Sequence, residues 1–420
     1  SDDGHLYPVL VFIHGGGYQT GFASTGDKNF AGNYGLWDQL RALQFVRDNI
    51  ERFGGDPQRI TISGFSAGAA SVSALSISPL SNNLFQQTIQ MSGTFFSEWS
   101  VSNRVVFETE KMAKFVGCDD TLDDSKELKK CLRGKTVEEL MDAVERMGSA
   151  RMEPNSLLFT PRIDADFFPN DVKTLLQNAP TKRNFIGVAD TEALTFILLL
   201  DKKNSMDGGI KLVAPKNAFV NENEGSEVQQ KIIDFYLSDN GKIDGKNKKE
   251  ESLYFLKKYL DLTTDLMFIV PMLQEVHYKF EKGWPVFMYM IDYYNKKYYP
   301  KNIPIKGSYH CVELPPLFNI TECPFHIEEF SEEDLEFEKV LLTSVVNFVT
   351  TGNPSISTLK WHNLNTKNPL QFARLNPTNP KMESALYPEK LKFWQKLTEN
   401  YSFDVIRGIN KETLKSKDEL

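Results

Sequence analysis

The chain has 420 residues, of which 41% are apolar and 12% aromatic, and it carries a formal net charge of −8 at pH 7. This size and composition allow a large buried core. The acidic balance argues against nucleic acid and anionic membranes as partners, and the longest apolar runs, such as residues 196–200, are far too short to span a bilayer.

The first predicted strand, residues 8–13, ends in the sequence His-Gly-Gly-Gly at positions 14–17. Glycine allows the backbone to approach a ligand closely and to turn its N–H groups inward. The sequence therefore predicts that Gly16 and Gly17 donate hydrogen bonds to a developing oxyanion, each donor being worth about 3 kcal/mol of barrier. An ordinary glycine-rich turn after a strand is the alternative.

The second predicted strand, residues 59–63, leads into Gly-Phe-Ser-Ala-Gly at positions 64–68 and then into a helix. This order is typical of a nucleophile elbow, in which a strained turn exposes a serine hydroxyl. Ser66 is the predicted nucleophile, and the N–H of Ala67 is the predicted third oxyanion donor. A plain glycine turn would lack catalytic partners further along the chain.

A third predicted strand, residues 184–188, is followed by Asp190 and Glu192. Catalytic groups of open α/β sheets lie at the carboxyl ends of strands, where a carboxylate can accept Nδ1–H from a catalytic histidine and fix its tautomer. Asp190 suits a helix cap, because acids favour the first turn of a helix. Glu192 is the predicted catalytic acid.

The base is expected downstream of Ser66, because α/β-hydrolases follow the order serine, acid, histidine. His310 lies in a loop, residues 306–316, beyond the predicted strand 285–292, and loops after strands collect catalytic groups. The other downstream histidines lack such a setting and are predicted to be ordinary surface or core residues: His277, His326 and His362.

The rest of the chain is predicted to be mostly helical, with insertions around residues 100–150 and 210–280 that would cover the active site and select the substrate. Residues 137–144 have helical spacing. Ser331 and Asp334 predict a capping box that begins a helix running towards Thr350 and stopping before Gly352.

Beyond the elbow and the glycine loop, three further stretches have sequences typical of one protein family: residues 32–39, 49–57 and 351–354. With them the chain resembles the type B carboxylesterase family, and nematode gut esterases in particular. The resemblance implies an α/β-hydrolase fold: a mostly parallel central sheet flanked by helices, with helical insertions over the active site. It also implies a Ser66–Glu192–His310 triad with Gly16, Gly17 and Ala67 as the oxyanion hole, and neither a metal nor an organic cofactor.

The chain departs from the family pattern in several places. Phe65 replaces the usual glutamate, which disfavours choline esters, and Ala193 replaces the usual glycine after the triad acid. This sequence shows no counterpart of the family's N-terminal region. It also shows none of a helix–strand segment that the family has at the position between Gly21 and Phe22. We therefore expect an incomplete sheet in which the strand at 8–13 has an unpaired edge.

The four cysteines are too few for a disulfide scaffold. The family resemblance implies a disulfide between Cys118 and Cys131, worth roughly 3 kcal/mol by loop closure. Cys311 and Cys323 either pair across a short loop or remain free, and the absence of Cys-x-x-Cys spacing argues against zinc.

The C-terminal residues, Lys417 to Leu420, form an endoplasmic-reticulum retention signal. They predict a lumenal protein that binds a retention receptor, and the glycosylation acceptors Asn319 and Asn400 fit that route. The expected organisation is one truncated hydrolase domain over residues 1–408 and a tail over 409–420.

The sequence thus predicts a serine hydrolase that cleaves small apolar carboxylic esters through an acyl-enzyme. Two alternatives stay open: a noncatalytic, cholinesterase-like interaction protein of the kind represented by neuroligins, or an inactive product of a truncated gene. Acyl and alcohol preference and oligomeric state are left undetermined.

Overall fold

The computed structural model describes residues 4–148, 157–197, 221–238, 247–301 and 303–411. The chain forms two compact units. The first comprises residues 1–95 and 99–183, and the second comprises residues 96–98 and 184–420. Each unit has its own strands, helices and core.

The first unit contains three parallel strands: β1 (Tyr7–Ile13), β2 (Gly55–Phe65) and β3 (Gln87–Met91). Val9 of β1 lies opposite Ile60, and Phe65 of β2 lies opposite Met91. Its helices are α1 (Tyr34–Asn49), α2 (Ala67–Ile77), α3 (Arg104–Phe115), α4 (Ser125–Arg133), α5 (Val137–Arg146) and α6 (Val172–Asn178). Strand, turn and helix therefore succeed one another around Ser66 as predicted.

Strand β1 has an unpaired edge within the described residues, as expected. Within the described residues β1 pairs with β2 alone, and Tyr7 and Leu10 are 56% and 39% exposed. The segment from Ile13 to α1 contains turns and bends and no strand. Gly21 at the predicted junction accepts a backbone hydrogen bond from Gly35 at 2.8 Å, so this segment crosses directly to the start of α1.

The second unit contains β4 (Arg183–Ala189), β5 (Val286–Ile291), β6 (Phe372–Leu375) and β7 (Lys381–Glu383). β4, β5 and β6 are parallel neighbours in that order, and β7 joins β6 antiparallel. A small separate hairpin pairs β8 (Phe403–Asp404) with β9 (Ile409–Asn410).

The helices of the second unit are α7 (Leu194–Ile197), α8 (Glu222–Tyr236), α9 (Lys248–Thr264), α10 (Val270–Glu281), α11 (Leu314–Phe318), α12 (Glu332–Thr351) and α13 (Pro388–Asn400). A π-helical turn, Asp265–Ile269, joins α9 to α10. Short 3-10 helices lie at Ile50–Phe53, Pro79–Ser81, Glu98–Ser100, Asp119–Thr121 and Lys296–Tyr298.

The predicted helix boundaries are confirmed where the sequence carried capping signals. Ser331 caps α12 and forms a capping box with Asp334, and the helix ends at Thr351 before Gly352, which has φ 77°. The predicted helix at 137–144 is α5, with a capping box at Thr136. The predicted insertions are mostly helical where the structure describes them; residues 149–150, 210–220 and 239–246 lie outside the described part.

Five of the described strands were not predicted: β3, β6, β7, β8 and β9. Three of the five residues of β3 are polar, yet all five are buried. The buried polar side chains find partners inside the protein, and Gln87 donates to the hydroxyl of Thr61 at 3.0 Å. A strand buried on both faces normally reads as a continuous apolar run, so this segment carries no such signal.

Two disulfides are present. Cys118 pairs with Cys131, as the family resemblance implied. Cys311 pairs with Cys323, which decides between the two alternatives left open by the sequence.

No helix in the described residues is both long and apolar enough to cross a membrane. The retention signal at residues 417–420 lies outside the described part of the chain.

Candidate active site

Ser66 occupies a strained turn between β2 and α2. Its backbone has φ 56° and ψ −123°, a conformation that side-chain-bearing residues rarely adopt. Its N–H donates to the carbonyl oxygen of Met91 at 2.9 Å, and its own carbonyl accepts from Ala70 at 2.9 Å. Both backbone groups are therefore satisfied, and the strain is held by the ends of two strands and a helix.

The glycines that flank Ser66 are required by close backbone approach. A Cβ on Gly64 would lie 2.3 Å from the carbonyl carbon of Gly68, and a Cβ on Gly68 would lie 2.1 Å from the carbonyl oxygen of Ile13. Neither atom belongs to a flexible side chain, so neither can move aside. The Gly-x-Ser-x-Gly pattern is therefore a steric requirement of this turn.

A third glycine supports the elbow and was missed from the sequence. Gly93 follows β3, and a Cβ there would lie 2.2 Å from the carbonyl oxygen of Ser66. Its neighbour Ser92 has φ 57°. The signal in the sequence was a Ser-Gly pair directly after Met91, but without β3 predicted it had no structural context.

The glycine loop lies directly against the elbow. A Cβ on Gly15 would meet the carbonyl oxygen of Phe65 at 2.9 Å and the Cβ of Ser66 at 3.1 Å. Gly16 and Gly17 have φ 113° and 70°, values that favour glycine. The structure thus brings the predicted oxyanion loop and the predicted nucleophile together in one unit.

Ala67 is the first residue of α2, so its N–H is one of the amides left without an intrahelical partner at a helix start. All eleven residues of α2 are buried, and small side chains allow such a helix to pack closely on a sheet. The N-terminus of a helix also favours negative charge. Ala67 therefore has the setting that an oxyanion donor needs.

The second unit holds the predicted acid and base in direct contact. Oε2 of Glu192 lies 2.6 Å from Nδ1 of His310, across 118 residues of sequence. Both side chains are buried, at 0% and 4% exposure. Because a carboxylate only accepts hydrogen bonds, Nδ1 is the donor in this contact, and Nε2 is the other ring nitrogen, which does not face Glu192.

Both partners of this pair are fixed by further contacts. Oε1 of Glu192 accepts the N–H of Ala189, the last residue of β4, at 2.6 Å. The backbone of the His310 loop is tied to the Glu192 turn, because Thr191 donates to the carbonyl oxygen of Ser308 at 2.9 Å. Thr195 donates its hydroxyl to the carbonyl oxygen of His310 at 3.2 Å. The acid and the base are therefore held as one rigid group.

The buried carboxyl group of Glu313 is another member of this region that was missed from the sequence. It lies three residues after His310, is 0% exposed, and accepts a hydrogen bond from the hydroxyl of Tyr289 at 3.3 Å. Burial, together with the nearby charge of Glu313, raises the pKa of Tyr289 well above its usual value, so the hydroxyl stays protonated as a donor.

The residues that the sequence set aside lie apart from this pair in their contacts. Asp190 accepts a hydrogen bond from the hydroxyl of Tyr387 at 2.7 Å. His277 faces Glu281 on α10 at 3.4 Å, and His326 is paired with Glu322 at 2.6 Å on an exposed segment. Among the described residues, no three His, Cys, Asp or Glu side chains gather as metal ligands.

Comparison with known proteins decides the family. The model of the carboxylesterase family matches residues 19–394. The chain belongs to the carboxylesterase family. Its predicted resemblance and α/β-hydrolase fold are thereby confirmed.

Several curated relatives of this carboxylesterase-family chain cover most of its length. Gut esterase 1 of Caenorhabditis briggsae is 31% identical over an alignment of 465 positions including gaps, which covers 98% of this chain and 81% of the relative. Human cocaine esterase is 29% identical over an alignment of 434 positions, which covers 94% of this chain and 73% of the relative. Neuroligin-2 of Rattus norvegicus is 32% identical over 391 residues, spanning 83% of this chain and 44% of the relative.

Proposed function

We propose that this protein hydrolyses carboxylic esters through an acyl-enzyme on Ser66. The observation that carries the proposal is the buried 2.6 Å contact between Glu192 and His310, which gives a histidine a defined tautomer at the end of a strand. The strained elbow and the adjoining glycine loop support it from the first unit. The esterase relatives support the same class of reaction.

In the proposed first step, Nε2 of His310 removes the proton from Oγ of Ser66 as that oxygen attacks the ester carbonyl carbon. The N–H groups of Gly16, Gly17 and Ala67 bind the oxyanion, where removal of one donor typically costs 10²–10³-fold in kcat, or about 3 kcal/mol. The tetrahedral intermediate then collapses. His310 gives its proton to the departing alkoxide, which leaves as the alcohol.

In the second step, water attacks the acyl-enzyme. His310 takes one proton from the water, and a second tetrahedral intermediate forms in the same oxyanion hole. Collapse releases the carboxylic acid and returns the proton to Oγ of Ser66. Glu192 stays ionised throughout, because its task is to orient the ring and to stabilise the imidazolium.

Hydrolysis of a p-nitrophenyl ester, combined with labelling by a fluorophosphonate probe, tests the proposal. The full chain is expected to hydrolyse the ester and to carry the label on Ser66, located by peptide mass spectrometry. Ser66→Ala is expected to lose both. Ser76→Ala is the control, because Ser76 is a buried serine of α2, the helix that follows Ser66, and its hydroxyl donates to the carbonyl oxygen of Ser73.

A folded chain that neither hydrolyses the ester nor takes the label would overturn the proposal. A cooperative thermal transition establishes folding in that experiment. If no cooperative transition is observed, the result would instead favour the other alternative, an inactive product of a truncated gene.

A noncatalytic interaction protein is the second candidate, favoured by the similarity to neuroligin-2. The two candidates make opposite predictions for the same variant. If the protein acts by binding alone, Ser66→Ala leaves every measurable property of the folded protein unchanged, and the probe labels no serine.

The substrate that we propose is a small, apolar ester. The rings of Phe196 and Phe268 lie 5.2 and 4.8 Å from the imidazole of His310, centroid to centroid, so the surroundings of the base are apolar. Apolar walls with few polar groups are typical of sites for apolar ligands. Comparing kcat/KM for acetyl and butyryl esters measures the preference.

We further propose that the protein resides in the lumen of the endoplasmic reticulum, bound by a retention receptor through Lys417 to Leu420. Asn319 and Asn400 are both exposed and would accept glycans there. Deleting the last four residues is expected to release the protein into the medium of expressing cells. Removal of N-linked glycans is expected to lower the mass of the retained protein.

A further inference from the structure

A π-helical turn lies beside the acid–base pair. Residues Asp265–Ile269 join α9 to α10 with the wider π spacing, and all five are buried. Single π turns within longer helices are rare and are frequent at functional sites, because the extra residue redirects the side chains. Here the turn contacts the ring of His310, and the residue before it contacts the backbone that follows Glu192.

The first contact is with the Glu192 turn. Thr264, the residue before the π turn, accepts the N–H of Ala193 on its hydroxyl oxygen at 3.1 Å. Ala193 follows Glu192 directly. The start of the π turn therefore helps to fix the backbone that carries the acid.

The second contact is with the ring of His310. Phe268 lies on the π turn, with its ring centroid 4.8 Å from the imidazole and the planes inclined by 44°. Phe196, on α7, lies at 5.2 Å with an inclination of 45°. The two phenyl rings are themselves 5.8 Å apart and nearly parallel. The imidazole is therefore packed against a pair of aromatic rings as well as hydrogen-bonded to Glu192.

The π turn is anchored at its first residue, Asp265. This carboxylate is 0% exposed and accepts hydrogen bonds from the hydroxyl of Tyr236 at 2.7 Å and from Nζ of Lys390 at 2.8 Å. Tyr236 in turn accepts from the indole N–H of Trp394 at 3.1 Å. Helices α8 and α13 are thus tied to the turn by a buried polar network.

An ion pair in which Asp265 is fully buried and the side chain of Lys390 is 20% exposed contributes little net stability, because desolvation opposes the attraction of the charges. It does demand a specific geometry, since either charge left alone is costly. The network therefore selects one position of the π turn, and with it one position of Phe268.

We propose that Phe268 is a positioning residue for His310, and that the Asp265–Lys390 pair holds Phe268 in place. The inference rests on the proposed function, because it assigns these residues a task in the reaction of Ser66. Glu192 fixes one end of the imidazole, and Phe268 and Phe196 limit its tilt about that hydrogen bond. Nε2 then stays aimed in one direction.

The direct test is Phe268→Leu, measured on a p-nitrophenyl ester. We expect kcat to fall about 10- to 100-fold, the size of effect that a small misplacement of a catalytic group produces, while KM stays within about threefold. Phe348→Leu is the matched control: Phe348 is also a fully buried phenylalanine of the second unit, packed against Phe185 and Phe287. It is expected to lower the melting temperature similarly and to leave kcat unchanged.

A second measurement does not depend on activity. The proton between Nδ1 of His310 and Glu192 should give a strongly low-field ¹H NMR signal, assigned by its loss in His310→Gln. We expect Phe268→Leu to shift or broaden this signal, because the ring gains freedom to tilt. Phe348→Leu is expected to leave it in place.

The remote part of the proposal is tested at Lys390. Lys390→Met removes the charge and keeps the chain length, whereas Lys390→Arg keeps the charge. We expect the methionine variant to lower kcat about tenfold and to broaden the His310 signal, and the arginine variant to restore both. A purely structural role would lower the melting temperature in Lys390→Met without changing the signal or kcat.

The outcomes separate the two proposals. If the wild-type chain is folded but inactive, the proposed function fails. If it is active while Phe268→Leu retains its kcat and its low-field signal, only the positioning role fails. A change in KM alone at Phe268 would also overturn it, because that result marks a substrate contact.

Discussion

The Cα of Gly68 lies so close to the carbonyl oxygen of Ile13 that a Cβ at this position would be 2.1 Å from that oxygen. In the first unit, the predicted nucleophile elbow and the predicted glycine loop are therefore in close backbone contact. Ile13 ends β1, and residues 14–17 follow it directly. A side chain at position 68 would therefore push the predicted oxyanion loop away from Ser66.

Gly68→Ala is expected to destabilise the protein by at least about 3 kcal/mol and to abolish activity, because neither backbone segment can withdraw. Urea unfolding monitored by tryptophan fluorescence measures the first effect. Gly134→Ala is the matched control: its Cβ would lie 3.3 Å from the nearest backbone oxygen, and its φ is −81°. Equal stabilities of the two variants would contradict the close contact at Gly68.

Glu192→Gln is expected to lower kcat roughly 10⁴-fold with little change in melting temperature. The amide can present its N–H to His310 and so stabilise the wrong tautomer, the effect known for the acid of a serine protease triad. Asp190→Asn is the control, because Asp190 is only two residues away and contacts Tyr387. If Asp190→Asn lost as much activity as Glu192→Gln, the assignment of the acid would be wrong.

The stability of the protein should carry a pH dependence from Asp265. Burial raises the pKa of this carboxyl from 3.8 to about 6, against the opposing effects of Lys390 and Tyr236, while Asp261 raises it further. The folded protein therefore binds the proton more tightly than the unfolded chain, and the free energy of unfolding falls as pH rises between about 4 and 6. Two pKa units correspond to at most about 3 kcal/mol.

Urea unfolding of the wild type and of Asp265→Asn, each at pH 4.5 and pH 7, measures the pH-dependent contribution of Asp265 to the free energy of unfolding. The wild type is expected to lose more stability between these pH values than the variant, since the contributions of all other carboxyl groups cancel in the comparison. Identical pH dependences would mean that Asp265 titrates as it does in the unfolded chain.

The two disulfides should have different consequences. Replacing both Cys118 and Cys131 by alanine is expected to lower the free energy of unfolding by about 3 kcal/mol through loop entropy and to leave kcat unchanged. Replacing both Cys311 and Cys323 is expected to lower kcat as well, because Cys311 is bonded directly to His310 along the chain.

Melting temperature and kcat, measured on the two double variants side by side, distinguish these effects. Each variant serves as the control for the other, since the bridged cysteines are 13 and 12 residues apart. Loss of kcat in the first variant, or its retention in the second, would contradict the expectation.

Much of the candidate site could be predicted from sequence because its chemistry is local. One turn of five residues contains Gly64, Ser66 and Gly68. Glycine is needed at both flanking positions because a Cβ there would clash with backbone atoms. Helices with capping residues were also predicted to within a residue or two, as at Ser331 and Gly352. These features depend on neighbours along the chain, which a sequence displays.

The unpredicted parts depend on partners that are distant in sequence. The polar side chains of β3 can be buried only because they form hydrogen bonds inside the protein, as Gln87 does with Thr61. Gly93 is required only because the carbonyl oxygen of Ser66 lies against it. The π turn reads as one continuous helix from Thr264 to Val270, since nothing local marks the extra residue. Its anchor, Lys390, is 125 residues away.

By itself, the sequence predicted the elbow, the glycine loop, the three proposed catalytic residues and the choice of Glu192 over Asp190, because each rests on residue types and on their positions relative to strands along the chain. Only the tertiary structure decided what holds those groups at angstrom distances: the 2.6 Å contact of Glu192 with His310, the packing of Phe268, and the pairing of Cys311 with Cys323. The physical reason is that desolvation and packing act between segments that the chain brings together only when it folds.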